Sequence, residues 1–146
     1  KERMAAVNPH TEIEAVEGRI CPETAMALLE GCHLVIDCLD NIPTRRLLQA
    51  AAEQAGIPMV HGAVAGWRGQ VCVIEPGERL LDELYPDALL CKGIEETEGT
   101  LSFTVAMVAA IQASLTTTRL LSTMQWGRDV LLIDLKEPLF QRISLK

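Results

Sequence analysis

Between Leu34 and Val64 the hydrophobic pattern changes period twice. LVID, residues 34–37, is apolar and β-branched, the segment from Pro43 to Ala55 has helical spacing and stops at Gly56, and PMVHGAV, residues 58–64, is strand-like again. Strand, helix, strand is the unit of a parallel sheet, because neighbouring parallel strands need a crossover that no tight turn can supply. The alternation continues upstream. TEIEAV, residues 11–16, alternates polar and apolar like a half-exposed strand, and Pro22 and Glu23 open a helix whose Ala25, Leu28 and Leu29 share one face up to Gly31. Residues 1–7 read as the end of a helix closed by Asn8-Pro9. An α/β chain with a mostly parallel sheet and helices on both faces is the expectation.

The second half is organised differently. GQVCVIEPGE, residues 69–78, is a strand ending in a Pro-Gly turn, and residues 78–99 are acidic, weakly periodic and expected to form a long crossover loop. A helix from about Phe103 to Ser122 follows, assigned to core packing. VLLIDL (130–135) and LFQRISL (139–145) then make an antiparallel C-terminal hairpin bent at Glu137-Pro138.

Composition narrows the function classes. A chain of 146 residues is one domain's worth and can bury roughly 70% of the surface its unfolded form exposes, so a core is available without disulfides. Only 3% of residues are aromatic within a hydrophobic content of 49%, which makes that core aliphatic. The net charge of −7, with basic residues scattered, argues against a nucleic-acid partner, since phosphate binding needs clustered Lys and Arg. Five cysteines without CxxC or Cys-His spacing indicate reduced thiols and a cytoplasmic location. Cys21, Cys32, Cys38 and Cys72 read as small core residues. No charged-then-apolar leader opens the sequence, and the apolar run at 101–121 is broken by Ser102, Thr104, Gln112, Ser114 and three threonines, so no membrane partner is expected.

Ligands of parallel α/β sheets bind beyond the carboxyl ends of the strands, where the loop CLDN, residues 38–41, must lie. An aspartate leaving a strand tip suits Mg²⁺, a hard ion that prefers carboxylate oxygen and is commonly shared with nucleotide phosphates. Asn41 has a second role as N-cap of the helix begun at Pro43. Taken alone, DxxDN before a proline-started helix is more often a cap than a metal site. His10 in a turn, His33 before a strand and His61 on a strand carry little argument for general-base work.

The motif is not alone. VNPHTEIEAV (7–16) precedes it and GIPMVHGAVAGWRGQVCVIEPG (56–77) follows. The order NPH, strand, DCxDN, helix, IPxVxGAxxGxxGQV resembles the ThiF/MoeB/HesA family of ubiquitin-like-protein-activating enzymes over about residues 1–77, and LLIDLKEPLFQRISL (131–145) resembles that family's C-terminal end. The resemblance implies a Rossmann-like fold and an adenylyltransferase. Such an enzyme binds ATP and Mg²⁺, activates the C-terminal carboxylate of a small ubiquitin-like carrier protein as an acyl-adenylate, releases pyrophosphate and passes the acyl group to sulfur or a thiol. By motif position it implies Asp40 as the Mg²⁺-binding aspartate and Arg45 as the catalytic arginine that follows it. Gly18, Arg19 and Ile20, in the strand tip Val16 to Ile20, would run beside the adenine, with Asn41 also at the nucleotide. Gly62 and Gly69 would border the carrier's C-terminal tail, and the chain would form a homodimer or larger assembly. Asp37, a strand residue earlier than the loop, faces the opposite side and reads as structural.

The sequence departs from the family in three places. The family's glycine-rich turn, ribose-binding acid and phosphate-gripping Arg and Lys would precede the NPH motif, and Lys1 is too close to Asn8 to be the family's catalytic lysine. Residues 1–146 are therefore expected to be the C-terminal portion of a single adenylation domain, inactive by itself. Where many members carry two CxxC pairs, residues 78–87 read ERLLDELYPD, so no zinc is expected. Cys91 stands a few residues before the place where some relatives carry a nucleophile. Glu95, Glu96 and Glu98 would raise its thiol pKa against the opposing Lys92, and a lone loop cysteine is more often incidental. Two other classes stay open. A non-catalytic scaffold or pseudoenzyme would keep the partner surfaces without the phosphate grip. A nicotinamide oxidoreductase half is permitted by fold alone, and the missing glycine fingerprint opposes it.

Overall fold

The computed structural model of the chain describes residues 1–86, 93–121 and 126–145. One sheet carries five strands, β1 (Val35–Asp37), β2 (Met59–Ala65), β3 (Arg68–Ile74), β4 (Asp129–Asp134) and β5 (Leu139–Ser144), side by side in chain order. The helices are α1 (Glu2–Val7), α2 (Pro22–Leu29), α3 (Ile42–Ala55), α4 (Leu80–Leu84), α5 (Glu95–Glu98) and α6 (Ser102–Leu120). The α/β class, the helices on both faces and the C-terminal hairpin agree with the sequence. The mostly parallel order is corrected to a mixed sheet. Only β1 and β2 run parallel, in a register that sets Asp37 opposite His61, and the three remaining pairs are antiparallel. The reason is local: β2 and β3 are joined by Gly66 and Trp67 alone, with Gly66 at φ +52°, and a two-residue link permits only an antiparallel return.

Two further expectations change. TEIEAV is irregular, because alternation supplies a side-chain pattern but a strand also needs a hydrogen-bonded neighbour, and no described strand pairs with this stretch. The crossover segment 78–99 holds α4 and α5 within its described residues. Leu80 and Leu81 of α4 are fully buried, and the Leu81 N–H donates to Gln49 Oε1 of α3 at 2.9 Å. That anchoring is tertiary and leaves no periodic trace in so short a helix.

Helix α3 begins and ends where its sequence says. The Asn41 side-chain oxygen accepts from the Thr44 N–H at 2.9 Å and the Thr44 hydroxyl at 2.6 Å, Pro43 occupies the first turn, and Gly56 closes the helix at φ +69°. Strand alternation divides the core. On one side Met59, Cys72, Ile74 and Val130 pack against Leu48, Ala51 and Ala52 of α3 and against α4. On the other, Val60, Val71, Val73 and Ile133 pack against Val108 and Leu115 of α6. Among the described residues no helix is long and apolar enough to cross a membrane.

Two glycines let α6 approach the sheet. A Cβ on Gly62 would lie 2.4 Å from the Gln112 carboxamide carbon, and one on Gly69 would lie 2.5 Å from Val108 Cγ2. The close approach brings Gln112 Nε2 to 2.8 Å from the Asp37 carbonyl and 3.2 Å from the Val60 carbonyl, so both accept from one amide at the end of the parallel pair. A β-branched Val108 has little rotamer freedom with which to yield. Gly69→Ala is therefore expected to destabilise the fold by about 1–3 kcal/mol, the usual cost of overpacking, read as a lower urea midpoint. An unchanged midpoint would mean that α6 is not seated on Gly69.

Candidate functional site

Two cavities flank the N-terminal turn of α3. The larger, about 740 Å³, is walled by the segment Val16 to Ile20, the start of α2, and the strand-tip residues Cys38, Leu39, Asp40 and Asn41. It gathers Gly18, Arg19, Ile20, Asp40 and Asn41, five of the residues singled out by motif position. The irregular segment holds its place through Thr24, whose hydroxyl accepts from the Cys21 N–H at 3.1 Å and reaches the Arg19 carbonyl at 3.3 Å. Asp40 is exposed and its Oδ1 accepts from Asn41 Nδ2 at 3.1 Å.

The smaller cavity, about 500 Å³, lies over the open half of the sheet, between Ile42 and Arg45 of α3, Gly69 and Gln70 of β3, Tyr85, and Leu132 of β4. Arg45 thus lines this cavity and not the one that Asp40 borders. Its guanidinium turns under the CLDN loop, with Nε and NH2 donating to the Leu39 carbonyl at 3.1 and 2.5 Å and NH1 donating to the Tyr85 hydroxyl at 3.3 Å. The geometry gives Arg45 the task of pinning the loop that carries Asp40. Gly69 lines the smaller cavity, whereas Gly62 is buried beneath Gln112 and lines neither. Cys91 lies outside the described residues.

Sequence reasoning passed over a buried polar network behind the smaller cavity. Asp37 and His61 are both wholly buried, with His61 Nδ1 2.6 Å from Asp37 Oδ2. Asp37 also accepts from the Leu39 N–H at 2.9 Å and stands 3.6 Å from Arg45 Nε. On the far side of the ring, Gln70 Nε2 is 3.2 Å from His61 Nε2 and donates to the Tyr85 hydroxyl at 2.7 Å. The only signal for this cluster was that two polar residues, Asp37 and His61, interrupt apolar strands. Their meeting depends on the β1–β2 register, which no single stretch of sequence specifies.

The thiols near the site are not activated. Burial pushes the Cys72 thiol up to about 12, with Asp37 adding to the effect, and partial shielding of the sulfur followed by the charge of Asp37 raises Cys38, although that residue is exposed as a whole. Cys38 and Cys32 are exposed and so are not the core residues they were expected to be, while Cys72 is buried. Among the described residues no three His, Cys, Asp or Glu side chains cluster as a metal cage. The wall of the larger cavity instead includes two carboxylates, Glu17 and Asp40, a donor type compatible with Mg²⁺, which takes one or two carboxylates with water and substrate phosphate completing its shell.

Comparison with protein families matches residues 1–146 to the ThiF family. Similar curated proteins include the molybdopterin-synthase adenylyltransferase of Salmonella typhimurium, 32% identical over 119 residues, covering 77% of this chain and 46% of that protein. The SAMP-activating enzyme E1 of Haloferax volcanii is 32% identical over 113 residues, 76% of this chain and 42% of that protein. The sulfur carrier protein adenylyltransferase of Thermus thermophilus is 41% identical over 73 residues, 50% of this chain and 27% of that protein. The chain spans less than half the length of these relatives. Among solved structures, the crystal structure of selenomethionine PaaA superposes with a TM-score of 0.69 at 10% identity over 98% of this chain and 45% of that one, a likeness of fold.

The buried histidine sets a pH dependence. Burial lowers the His61 pKa below its ordinary value of 6.5, and the Arg45 cation lowers it further, while the bond and charge of Asp37 oppose without prevailing. Below that ordinary value the unfolded chain takes up the proton more readily than the folded one. The contribution of neutral His61 to stability is therefore complete above pH 6.5 and is lost as pH falls through the folded value. The urea midpoint should fall between about pH 7.5 and 5.5, and fall less in His61→Gln, which cannot take up a proton. Equal slopes in the two proteins would show that His61 is not held neutral.

Proposed function

The chain belongs to the ThiF family, and from that premise we propose that it forms part of an ATP-dependent enzyme that adenylates the C-terminus of a small ubiquitin-like sulfur carrier protein. One observation carries the reading: two cavities abut the same helix N-terminus, one rimmed by the Asp40 carboxylate and the other an open trough along the sheet. Nucleotide in the first and an extended peptide tail in the second would bring a terminal carboxylate toward the phosphates across the turn of α3. The names of the relatives, which include a sulfur carrier protein adenylyltransferase, support the same substrate class.

In this reading Asp40 holds Mg²⁺, which when bound neutralises phosphate charge. Arg45, through the Leu39 carbonyl, fixes the loop from which Asp40 projects. Gly18, Arg19 and Ile20 border the base, Asn41 borders the nucleotide while its oxygen caps α3, and Gly69 contributes its backbone to the trough. The partial positive charge of the α3 N-terminus favours anions on either side. The reading includes a cytoplasmic location and association of the chain as a homodimer or larger assembly. Phe103 and Met107, one turn apart on α6 and both exposed, offer an apolar surface for such association.

The test is carrier-dependent ATP–pyrophosphate exchange by the complete enzyme of which this chain would be part. Asp40→Ala removes an exposed carboxylate and should leave the circular dichroism and urea midpoint near those of the wild type. Exchange should fall about a hundredfold or more, since charge stabilisation by a bound metal is worth several kcal/mol. Full exchange by the variant would remove Asp40 from the site.

A further inference from the structure

His61 is wholly buried, and nothing in the proposed adenylation uses it. Its bonding nevertheless decides what the smaller cavity presents to a ligand. The Asp37 carboxylate, already receiving the Leu39 N–H on Oδ1, can only accept at Oδ2, so the ring proton of neutral His61 sits on Nδ1. The lone pair is then on Nε2, which needs a donor. Gln70 Nε2 at 3.2 Å is the nearer of two donors, the Tyr85 hydroxyl standing at 3.4 Å, and the second hydrogen of the same amide goes to that hydroxyl at 2.7 Å. A flipped amide would set Oε1 against the Nε2 lone pair, acceptor against acceptor, in a place closed to water. Both amide hydrogens are thus committed inward, and the carboxamide oxygen is the part of Gln70 left for the cavity. Around it the wall includes apolar Ala63 and Leu132.

We propose that the Asp37–His61 pair positions Gln70, so that its carboxamide oxygen serves as the acceptor for a backbone N–H of the extended peptide in the smaller cavity. The peptide as occupant rests on the adenylation reading; the orientation of Gln70 does not. His61 is a positioning residue and Gln70 is the contact. An acceptor set between apolar Ala63 and Leu132, in a cavity whose wall also carries Arg68, Glu95 and Asp134, selects for a chain that offers N–H groups along its length, and so governs affinity for the carrier more than the chemical step. The charged and titratable groups that face the ring are Asp37 from β1, Arg45 from α3, Cys72 from β3 and Tyr85 after α4. The face toward α6 presents the neutral Gln112.

Two substitutions separate positioning from mere filling of the core. In His61→Asn the amide nitrogen can keep the bond to Asp37, where Nδ1 was, but nothing reaches Gln70. In His61→Gln an oxygen can take the place of Nε2 and still accept from Gln70. With a ThiS-type sulfur carrier protein as probe in ATP–pyrophosphate exchange, His61→Asn and Gln70→Leu should each raise the carrier KM about three- to tenfold, the equivalent of one neutral hydrogen bond, with a smaller change in kcat. His61→Gln should restore the wild-type KM. The wild-type KM should also rise below pH 6.5, as Nε2 gains a proton and turns from acceptor to donor, and that rise should be absent in His61→Gln. Equal KM effects in the two His61 variants, or none in Gln70→Leu, would overturn the proposal. These assays use the complete enzyme of which the chain would be part, and absence of exchange by its wild type would overturn the adenylation reading and the peptide occupant with it. Independently of activity, nitrogen-15 NMR of the wild-type ring at neutral pH should show Nδ1 protonated and Nε2 not, with the Nε2 resonance moved by Gln70→Leu. A proton on Nε2, or an unmoved resonance, would overturn the orientation of Gln70.

Discussion

The hydrogen bond from His61 Nδ1 to Asp37 Oδ2 crosses the parallel junction between β1 and β2, and both cavities depend on it. Strand β1 is three residues long, too short for its own ladder to fix where its tip points. Asp37 makes up the difference by using both ends of the residue. Its side chain takes His61, the Leu39 N–H and the charge of Arg45, and its carbonyl takes the amide of Gln112 from the opposite face of the sheet. Leu39, Asp40 and Asn41 leave the strand from a residue that is tied down in several directions.

Such a cluster is not an obvious source of stability. Removing a carboxylate and a guanidinium from water costs several kcal/mol per ion, and their attraction repays this only if every remaining lone pair and hydrogen is satisfied. Here Arg45 spends three of its nitrogens on the Leu39 carbonyl and the Tyr85 hydroxyl, and the Asp37 oxygens are shared among three donors. What the arrangement secures is geometry, since there is one tautomer, one amide orientation and one path for the loop. The same reasoning explains why neutral His61 suffices. A second buried cation beside Arg45 would have to be desolvated for a carboxylate already neutralised.

The parts of this fold that could be read from sequence are those whose cause is local. Helix α3 carries its own cap in Asn41, its own start in Pro43 and its own stop in Gly56, and the hairpin of β4 and β5 carries its bend. The parts that could not be read arise from contacts distant in the chain. TEIEAV has strand periodicity and no described partner strand, while α4 has no periodicity and is anchored by Gln49, some thirty residues earlier. Among the residues that line the larger cavity, Asp40, Asn41 and the 18–20 segment are those the motif pattern marks. Arg45 belongs to the same pattern but lines the other cavity, because a side chain on the first turn of a helix can swing to either side of the loop below it. Gly62 and Gly69 were read as borders of a ligand, and both have a structural cause in the seating of α6. The Asp37–His61 pair became visible only once the register was known.

Placing one helix N-terminus between two cavities has a thermodynamic consequence. The partial charge at the start of α3 is a single quantity, and an anion in either cavity consumes part of its field. Occupancy of one cavity by an anion therefore lowers the affinity of the other, and by linkage the penalty is identical in both directions. Only a cation between them reverses the sign, and the carboxylate best placed to recruit one is Asp40, on the loop that separates the two spaces. The two occupancies of such a molecule are then not independent. They are joined by a coupling energy whose sign the turn from Leu39 to Ile42 sets.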